Sequence, residues 1–358
     1  MKTRIHALLK TRSPLHIAHP NNARIYDNGQ IFYGGRVPKT FECTAIQKLR
    51  ITNGDGIQDL PVIAANNVAG RLRRRAAELV LKAVKSKGQK FNLQTYSVLM
   101  CGAATGTPDT EDMTYQEYVA SRNHVYFGLF GGGPKMFERK VRVHNALPVT
   151  AQALSLRGAL SHPNAERHIV PDKRMTSVWG FRRVDDLRDL TNIEMAESTI
   201  EDFHAVFEKR QSEILADKEV QPGEKSKTST KTYSAIEFVV PGVVFDLTFE
   251  LDVATEAQMG LFLLALDALA ENERLGGYVR NGFGVFSLDD VVMVTEDGER
   301  VTIFQNGRLV RDADPVGAWL KAWVDAAAVL DAKSIDRLVA MSEESAKKAA
   351  KKAEKSAS

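Results

Sequence analysis

The stretch that most restricts what this chain can fold into runs from residue 256 to residue 295, EAQMGLFLLALDALAENERLGGYVRNGFGVFSLDDVVMVT. A long apolar helix stops at Gly276 and Gly277, two more glycines follow at Gly282 and Gly284, and an alternating strand begins. A glycine just past a helix end suits the left-handed conformation that closes helices. A nucleotide loop is the first alternative for any glycine cluster, but such a loop leaves a strand and opens a helix, so that phosphate meets the helix N-terminus. Here the order is inverted, and the spacing GGxxxxGxG is neither GxGxxG nor GxxxxGK[ST]. A cap and a turn account for Gly276 but not for Gly282 and Gly284. Glycines at alternate positions entering a strand let another backbone come close, and with Arg280 between them a sugar-phosphate chain is a candidate for that backbone.

The rest of the chain supplies a frame for this loop. RIHALLKTRSPLHIA (4–18) reads as a strand broken at Ser13-Pro14, and NNVAGRLRRRAAELVLKAVKSKG (66–88) as a helix capped by Asn66 or Asn67 and ended by Gly88. Residues 91–125 read as mostly helical, with breaks at Gly106 and Pro108. FERKVRVHNALPVTA (137–151) reads as a strand, 161–232 as a polar insertion, and SAIEFVVPGVVFDLTFELDV (234–253) as two β-rich runs. Residues 314–341 form a terminal helical region, followed by a Lys/Ala tail. The order strand, helix, strand, insertion, strand, helix, strand is that of a split βαβ unit, an α+β fold with a ferredoxin-like or RRM-like core.

Composition narrows the classes. The net charge of +3 is modest, so a nucleic-acid surface has to come from local clustering. The two cysteines, Cys43 and Cys101, provide neither a disulfide framework nor zinc spacing, which fits a reducing cytoplasm and a protein without metal or other cofactor. No run approaches the about 20 apolar residues of a membrane helix, so no membrane partner is expected.

Four pieces then line up in chain order: TRSPLHIAH after the first strand, DLPVIAANNVAGRLRRRA into the first helix, FGLFGGG after the helical region, and LGGYVRNGFGVF after the second long helix. Together they resemble the RAMP superfamily of CRISPR-Cas proteins, and within it the backbone subunits that line up along guide RNA. IEFVVPGVVFDLTFEL also looks like the strand that follows that family's thumb. Ala64-Ala65-Asn66-Asn67 replaces the family's Pro-Gly-Ser-Ser, which with the Lys/Ala tail points to the type IV branch. The resemblance implies an RRM-like palm with an antiparallel sheet from 1–65, 137–160 and 234–313. It implies helical fingers over 66–136, a projecting β-hairpin thumb within 161–233, and a C-terminal helical region with a basic tail over 314–358. It also implies the partners: CRISPR guide RNA, target nucleic acid, further copies of the chain along the RNA as a helical filament, and other effector subunits.

Candidate contacts follow from charge and aromatic placement. Arg71, Arg73, Arg74 and Arg75 sit early in a helix, where cations oppose the dipole, so a compensating anion is expected; RNA phosphate and a solvated basic face are the two readings. Asn66 and Asn67 are caps, or caps that also bind phosphate. HIVPDKRMTSVWGFRRVDD (168–186) interleaves Lys173, Arg174, Arg182 and Arg183 with Met175, Trp179 and Phe181, a pattern that suits single-stranded RNA, a small core for the insertion, or a subunit contact. His16 meets RNA or is buried. In the glycine loop the expected contacts are Gly276, Gly277, Arg280, Asn281, Gly282 and Gly284. Trp319 and Trp323 read as core or subunit contacts. Lys347, Lys348, Lys351, Lys352 and Lys355 of the tail add salt-sensitive affinity or solubility. No catalytic residue is expected, because the role is that of a binder. The alternative is a type III-like subunit that cleaves target RNA with an acid in the loop after the first strand, where Asp27 is the clearest acid.

Overall fold

The computed structural model describes residues 2–21, 23–25, 31–33, 43–53, 56–103, 112–171, 175–184, 197–198, 201–205, 207–209, 212 and 231–341. Its strands are β1 (Lys2–Thr11), β2 (Ala23–Ile25), β3 (Ile31–Tyr33), β4 (Cys43–Thr44), β5 (Lys48–Asn53), β6 (Gly56–Pro61) and β7 (Val141–Val143). They continue with β8 (Leu147–Pro148), β9 (Thr176–Val184), β10 (Lys231–Val239), β11 (Val244–Asp252), β12 (Phe286–Val294), β13 (Arg300–Gln305) and β14 (Arg308–Leu309). The main helices are α1 (Ala65–Lys85), α2 (Leu93–Cys101), α3 (Tyr115–Asn123), α4 (Phe127–Phe130), α5 (Ala151–Arg157) and α6 (Glu256–Asn272), with two C-terminal helices, Val316–Val329 and Ala332–Val339. Contacts divide the chain into two units. Met1–Pro20, Ile46–Ser177 and Phe238–Ser358 form the first, Asn21–Ala45 and Val178–Glu237 the second.

The first unit is built on an antiparallel sheet in the order β14-β13-β12-β1-β11-β7, with β8 also pairing β11. With α1 between β1 and β7 and α6 between β11 and β12, the four strands β12-β1-β11-β7 have the connection order of a split βαβ unit. Alternation puts Ile5, Ala7 and Leu9 of β1 and Phe245, Leu247, Phe249 and Leu251 of β11 on one buried face. α1 and α6 cover that face with Val68, Leu72, Ala76 and Val80 and with Leu261, Phe262, Ala265 and Leu266. Burying each large side chain contributes about 1.5–3 kcal/mol, so this interface outweighs any local helix preference. Phe249 meets Phe262 edge to face at 5.4 Å. α6 opens on a capping box between Thr255 and Gln258. It is crossed by the helix Val316–Val329 at Gly260, where a Cβ would stand 2.1 Å from the Trp319 carbonyl. Trp323 is buried beside it, and Trp319, partly buried, packs against the core.

The opposite sheet face is partly roofed by α5 and the turns after it. Leu8, Val149, Ala165 and Val244 make a small second core there. Beside it Arg157 donates to the Asp246 carbonyl at 2.6 Å and to Thr248 Oγ1 at 2.9 Å, His6 Nδ1 lies 3.1 Å from that hydroxyl, and the His162 backbone N–H donates to Asp246 Oδ1 at 3.3 Å. Burial, reinforced for His6 by His162, Arg157 and Arg4, pushes both imidazoles down to about 4.

The second unit holds a sheet in the order β3-β2-β4-β10-β9. Its β4 and β10 pair in parallel, Cys43 with Ala235 and Thr44 with Ile236. The sequence-based boundaries place 1–65 entirely in one domain and begin the insertion at 161. The contacts instead group Asn21–Ala45 with Val178–Glu237, and leave 161–177 with the first unit. The expected single strand over 137–151 is two short ones, β7 and β8. Residues 104–111, including the expected breaks at Gly106 and Pro108, lie outside the described residues.

Candidate nucleic-acid interface

The glycine loop folds onto the turn that follows β1. Gly277 N–H donates to the His16 carbonyl at 2.8 Å, Gly284 N–H to the Pro14 carbonyl at 2.8 Å, and Leu275 N–H to the Gly284 carbonyl at 2.9 Å. Gly276 sits at φ +75°, where a Cβ would lie 2.1 Å from the His16 oxygen; Gly284 sits at φ +84°, where a Cβ would lie 2.1 Å from the Leu275 oxygen. The backbone that these two glycines admit is therefore the chain's own, which for Gly284 corrects the expectation that a sugar-phosphate backbone requires it and for Gly276 adds a close approach to the expected turn. Gly282 is different. Its φ of +84° closes the short turn Val279–Asn281, and a Cβ there would meet open space. His16 is buried, its ring edge-on to Tyr278 at 5.1 Å, and Tyr278 itself takes the left-handed conformation at φ +56°. Of the expected loop contacts, Arg280, Asn281 and Gly282 are exposed, whereas His16 presents no ring surface to a ligand.

α1 lies beside this loop, and its four arginines divide by direction. Arg71 and Arg75 both reach Glu273, at 2.6 Å each, and Arg71 also donates to the Gly276 carbonyl at 3.4 Å. The anion that compensates cations at this helix start is thus a carboxylate of the same chain. Burial works against the charge of Glu273, but the hydrogen bonds from Arg71 and Arg75 outweigh it and hold the carboxyl below its ordinary range. Arg73 turns the other way and donates to the Phe130 and Gly131 carbonyls, ending α4. Arg74 is exposed and makes no salt bridge or side-chain hydrogen bond to a described residue.

The capping expectation is also corrected. α1 begins at Ala65, and the Ala65 N–H is taken by Asn145 Oδ1 at 2.9 Å, so Asn66 and Asn67 lie inside the first turn and cap nothing. A side chain from the middle of the β7–β8 connection, 80 residues away, does the capping, which no local pattern foretells. Asn67 Oδ1 accepts weakly from Arg71 at 3.5 Å, while Asn66 is exposed at a cleft of about 180 Å³ shared with Gly70, Arg73, Phe130 and Arg139. Arg139 is exposed there, just before β7, in a stretch whose alternation reads as one continuous strand. Among the exposed polar groups of these stretches of the first unit are Asn66, Arg74, Arg139, Arg274, Arg280 and Asn281.

Of the candidates in 168–186, Met175 is buried in the core of the first unit and its carbonyl accepts from Val240 N–H at 2.9 Å, so it does not present a stacking surface. Trp179, on β9 of the second unit, is 46% exposed. Phe181, Arg182 and Arg183 are on the same strand, with side chains outside the described residues. Lys173 and Arg174, Asp27, and the five tail lysines also lie outside the described residues. Among the described residues no group of three His, Cys, Asp or Glu could hold a metal ion, and no helix is long and apolar enough to cross a membrane.

No curated protein matches this chain significantly. Among solved structures, a chain from a "Type IV-B CRISPR Complex" is similar at 16% identity, covering 92% of this chain and 100% of that one with a TM-score of 0.47. The family model of the RAMP superfamily matches residues 42–287, more than half of the chain and including both α1 and the glycine loop. The chain belongs to the RAMP superfamily.

Proposed function

We propose that this protein is a guide-RNA-binding backbone subunit of a CRISPR effector complex, of the type IV branch, and that copies of it assemble along one guide RNA. The single observation that carries the reading is the glycine loop. It is pinned to α1 through Arg71 and Glu273, and it holds Arg280 and Asn281 outward next to a helix that offers Arg74. A rigid cradle of this kind grips phosphates without reading bases, as a subunit that accepts any guide requires. The sheet of the first unit is then the RRM-like palm, α1–α4 the fingers, and the second unit with Trp179 the thumb that interrupts pairing with target. In this reading the protein acts by holding, so that the guide is ordered before target arrives and pairing costs less entropy.

The test is titration of the full chain into a long single-stranded RNA, resolved on a native gel at moderate salt. A ladder of regularly spaced, cooperatively filled complexes is expected, and Arg74→Gln with Arg280→Gln should weaken it. A single complex, or none, defeats the filament reading. Metal-dependent loss of target RNA that disappears in Asp27→Ala would replace the holding role with cleavage.

A further inference from the structure

The roof on the second sheet face is a segment whose two ends meet. Val149 N–H donates to the Val244 carbonyl at 2.8 Å as the chain leaves the sheet, and Val170 N–H donates to the Val149 carbonyl at 2.9 Å as it returns. Residues 150–169, which hold α5 and the two short turns after it, can therefore swing away as one piece without drawing a strand out of the sheet. The apolar grip of this segment is slight. Leu154 and Ala165 meet Leu8, Val149 and Val244, and Ala153 touches the main core. Its other large apolar side chains do little to hold it, since Leu156 and Ile169 are 59% and 50% exposed. The rest of the attachment is polar.

Register sets His6 and Leu8 of β1 beneath the segment, opposite Thr248 and Asp246 of β11 and opposite Val292 and Asp290 of β12. The segment adds Arg157 and His162 to this buried face. Thr248 Oγ1 gives its one proton to the Leu160 carbonyl at 2.7 Å and accepts from Arg157 at 2.9 Å, so His6 Nδ1, 3.1 Å away, approaches it as a donor. His162 Nδ1 accepts the Asn164 N–H at 3.0 Å, so the proton of the neutral ring sits on Nε2. That Nε2 is buried without a hydrogen-bond partner among the described residues, 3.7 Å from Asp290 Oδ1. A further proton on His162 must go to Nδ1, where it meets the Asn164 N–H and breaks that hydrogen bond. A charged His6 faces Arg157, Arg4 and His162. Asp290 attracts a charged His162, but His168 and Arg300 oppose it, and Asp290 already takes the Asn164 amide at 2.9 Å. Asp246 is engaged by Arg157 at 3.6 Å and by the His162 N–H at 3.3 Å. Glu250, one row along, takes Lys2 and Arg4, while Glu166 and Arg167 of the segment are exposed. Both rings therefore fit beneath the segment as neutral imidazoles and not as cations.

We propose that residues 150–169 are an acid-released lid: protons taken up by His6 and His162 detach it from the sheet, while the side covered by α1 and α6 stays folded. Opening bares Leu8, Val244 and Asp246 and lets both rings reach water. Beneath the closed lid the two imidazoles are pushed down to about 4, so closure is fully favoured above pH 6.5 and weakens as pH falls towards 4. Between pH 7.5 and 4.5 the opening constant should rise about 70-fold for each histidine, and about 5,000-fold for the two together. The test is amide hydrogen exchange of the full chain, read by mass spectrometry and corrected for the pH dependence of the unstructured rate. Peptides from 151–168 should lose protection at pH 4.5 while those of α6 keep theirs. Unchanged protection of the lid, or a parallel loss in α6, overturns the proposal. His6→Asn with His162→Asn keeps a polar group in place of each Nδ1 but cannot be charged in this range, so its lid should stay protected at pH 4.5; a loss equal to that of the unaltered chain assigns the release to other groups and overturns it. Should the double variant lose lid protection already at pH 7.5, His162→Asn alone decides. Its response should shrink to about 70-fold, and the full response in that variant refutes the lid.

Discussion

Replacing Gly276 and Gly282 in turn by alanine separates two reasons for a glycine that look the same in a sequence. Both sit near φ +80°, at +75° and +84°, so each alanine incurs the left-handed cost of about 1–2 kcal/mol. Only at Gly276 does the new methyl also meet an atom, the His16 oxygen at 2.1 Å, which accepts the Gly277 N–H at 2.8 Å. Relief requires the loop to move off the Pro14–His16 turn. Forced overpacking of this kind costs about 1–3 kcal/mol, and the endangered hydrogen bond about 0.5–1.5 kcal/mol more. Gly276→Ala should therefore destabilise by about 2.5–6.5 kcal/mol and Gly282→Ala by about 1–2 kcal/mol, a gap to be read by urea unfolding with a common m-value. Gly284→Ala, with its methyl 2.1 Å from the Leu275 oxygen, should behave like Gly276→Ala. Equal losses at positions 276 and 282 would refute the view that the loop's glycines serve the chain's own backbone. A β-branched residue at Gly282 is a poor probe of RNA contact, because its φ alone strains it.

Glu273→Gln should lower stability by about 1–3 kcal/mol by weakening two charge-assisted hydrogen bonds, yet raise RNA affinity and steepen its salt dependence by freeing Arg71 and Arg75; parallel losses in both would show that the fork is purely structural. His6, His124 and His162 should titrate near 4 by NMR, each chiefly because burial disfavours the imidazolium. Their pKa values are depressed in the folded state, so the unfolded chain binds protons first. The contribution these neutral histidines make is full above pH 6.5 and is lost as pH falls from about 6.5 towards about 4; midpoints near 6.5 would contradict this. Gly260→Ala should cost about 1–3 kcal/mol in thermal unfolding through overpacking against the helix Val316–Val329, and a neutral result would mean that the crossing can widen freely.

Much of the first unit is legible in the sequence because its signals are local. The apolar run from residue 256 announces α6 and alternation announces β11 and β12, but the helix ends at Asn272 with Glu273 extended, short of the glycine expected to close it. What the sequence withholds is partnership at long range. The need for a counter-charge at Arg71 and Arg75 is visible, but Glu273, some 200 residues away, is not. Asn145 as the cap of α1 is hidden for the same reason, and so is the burial of Met175, whose neighbours in the chain are charged and aromatic. Arg139 is hidden because alternation around β7 reads as one strand where the backbone makes two.

The parallel pairing of β4 with β10 has a consequence for how the chain is made. Cys43 meets Ala235 across about 190 intervening residues. During synthesis the stretch around β2, β3 and β4 emerges early and then waits, its pairing edge unfilled, until just over half of the chain has followed. At about 5–20 residues per second that delay is on the order of ten to forty seconds, long beside the microseconds in which a hairpin forms. Unlike a module that folds as it leaves the ribosome, the second unit is assembled from an early strand and a late one. Nascent chains truncated before residue 231 should lack it, whatever the state of the rest.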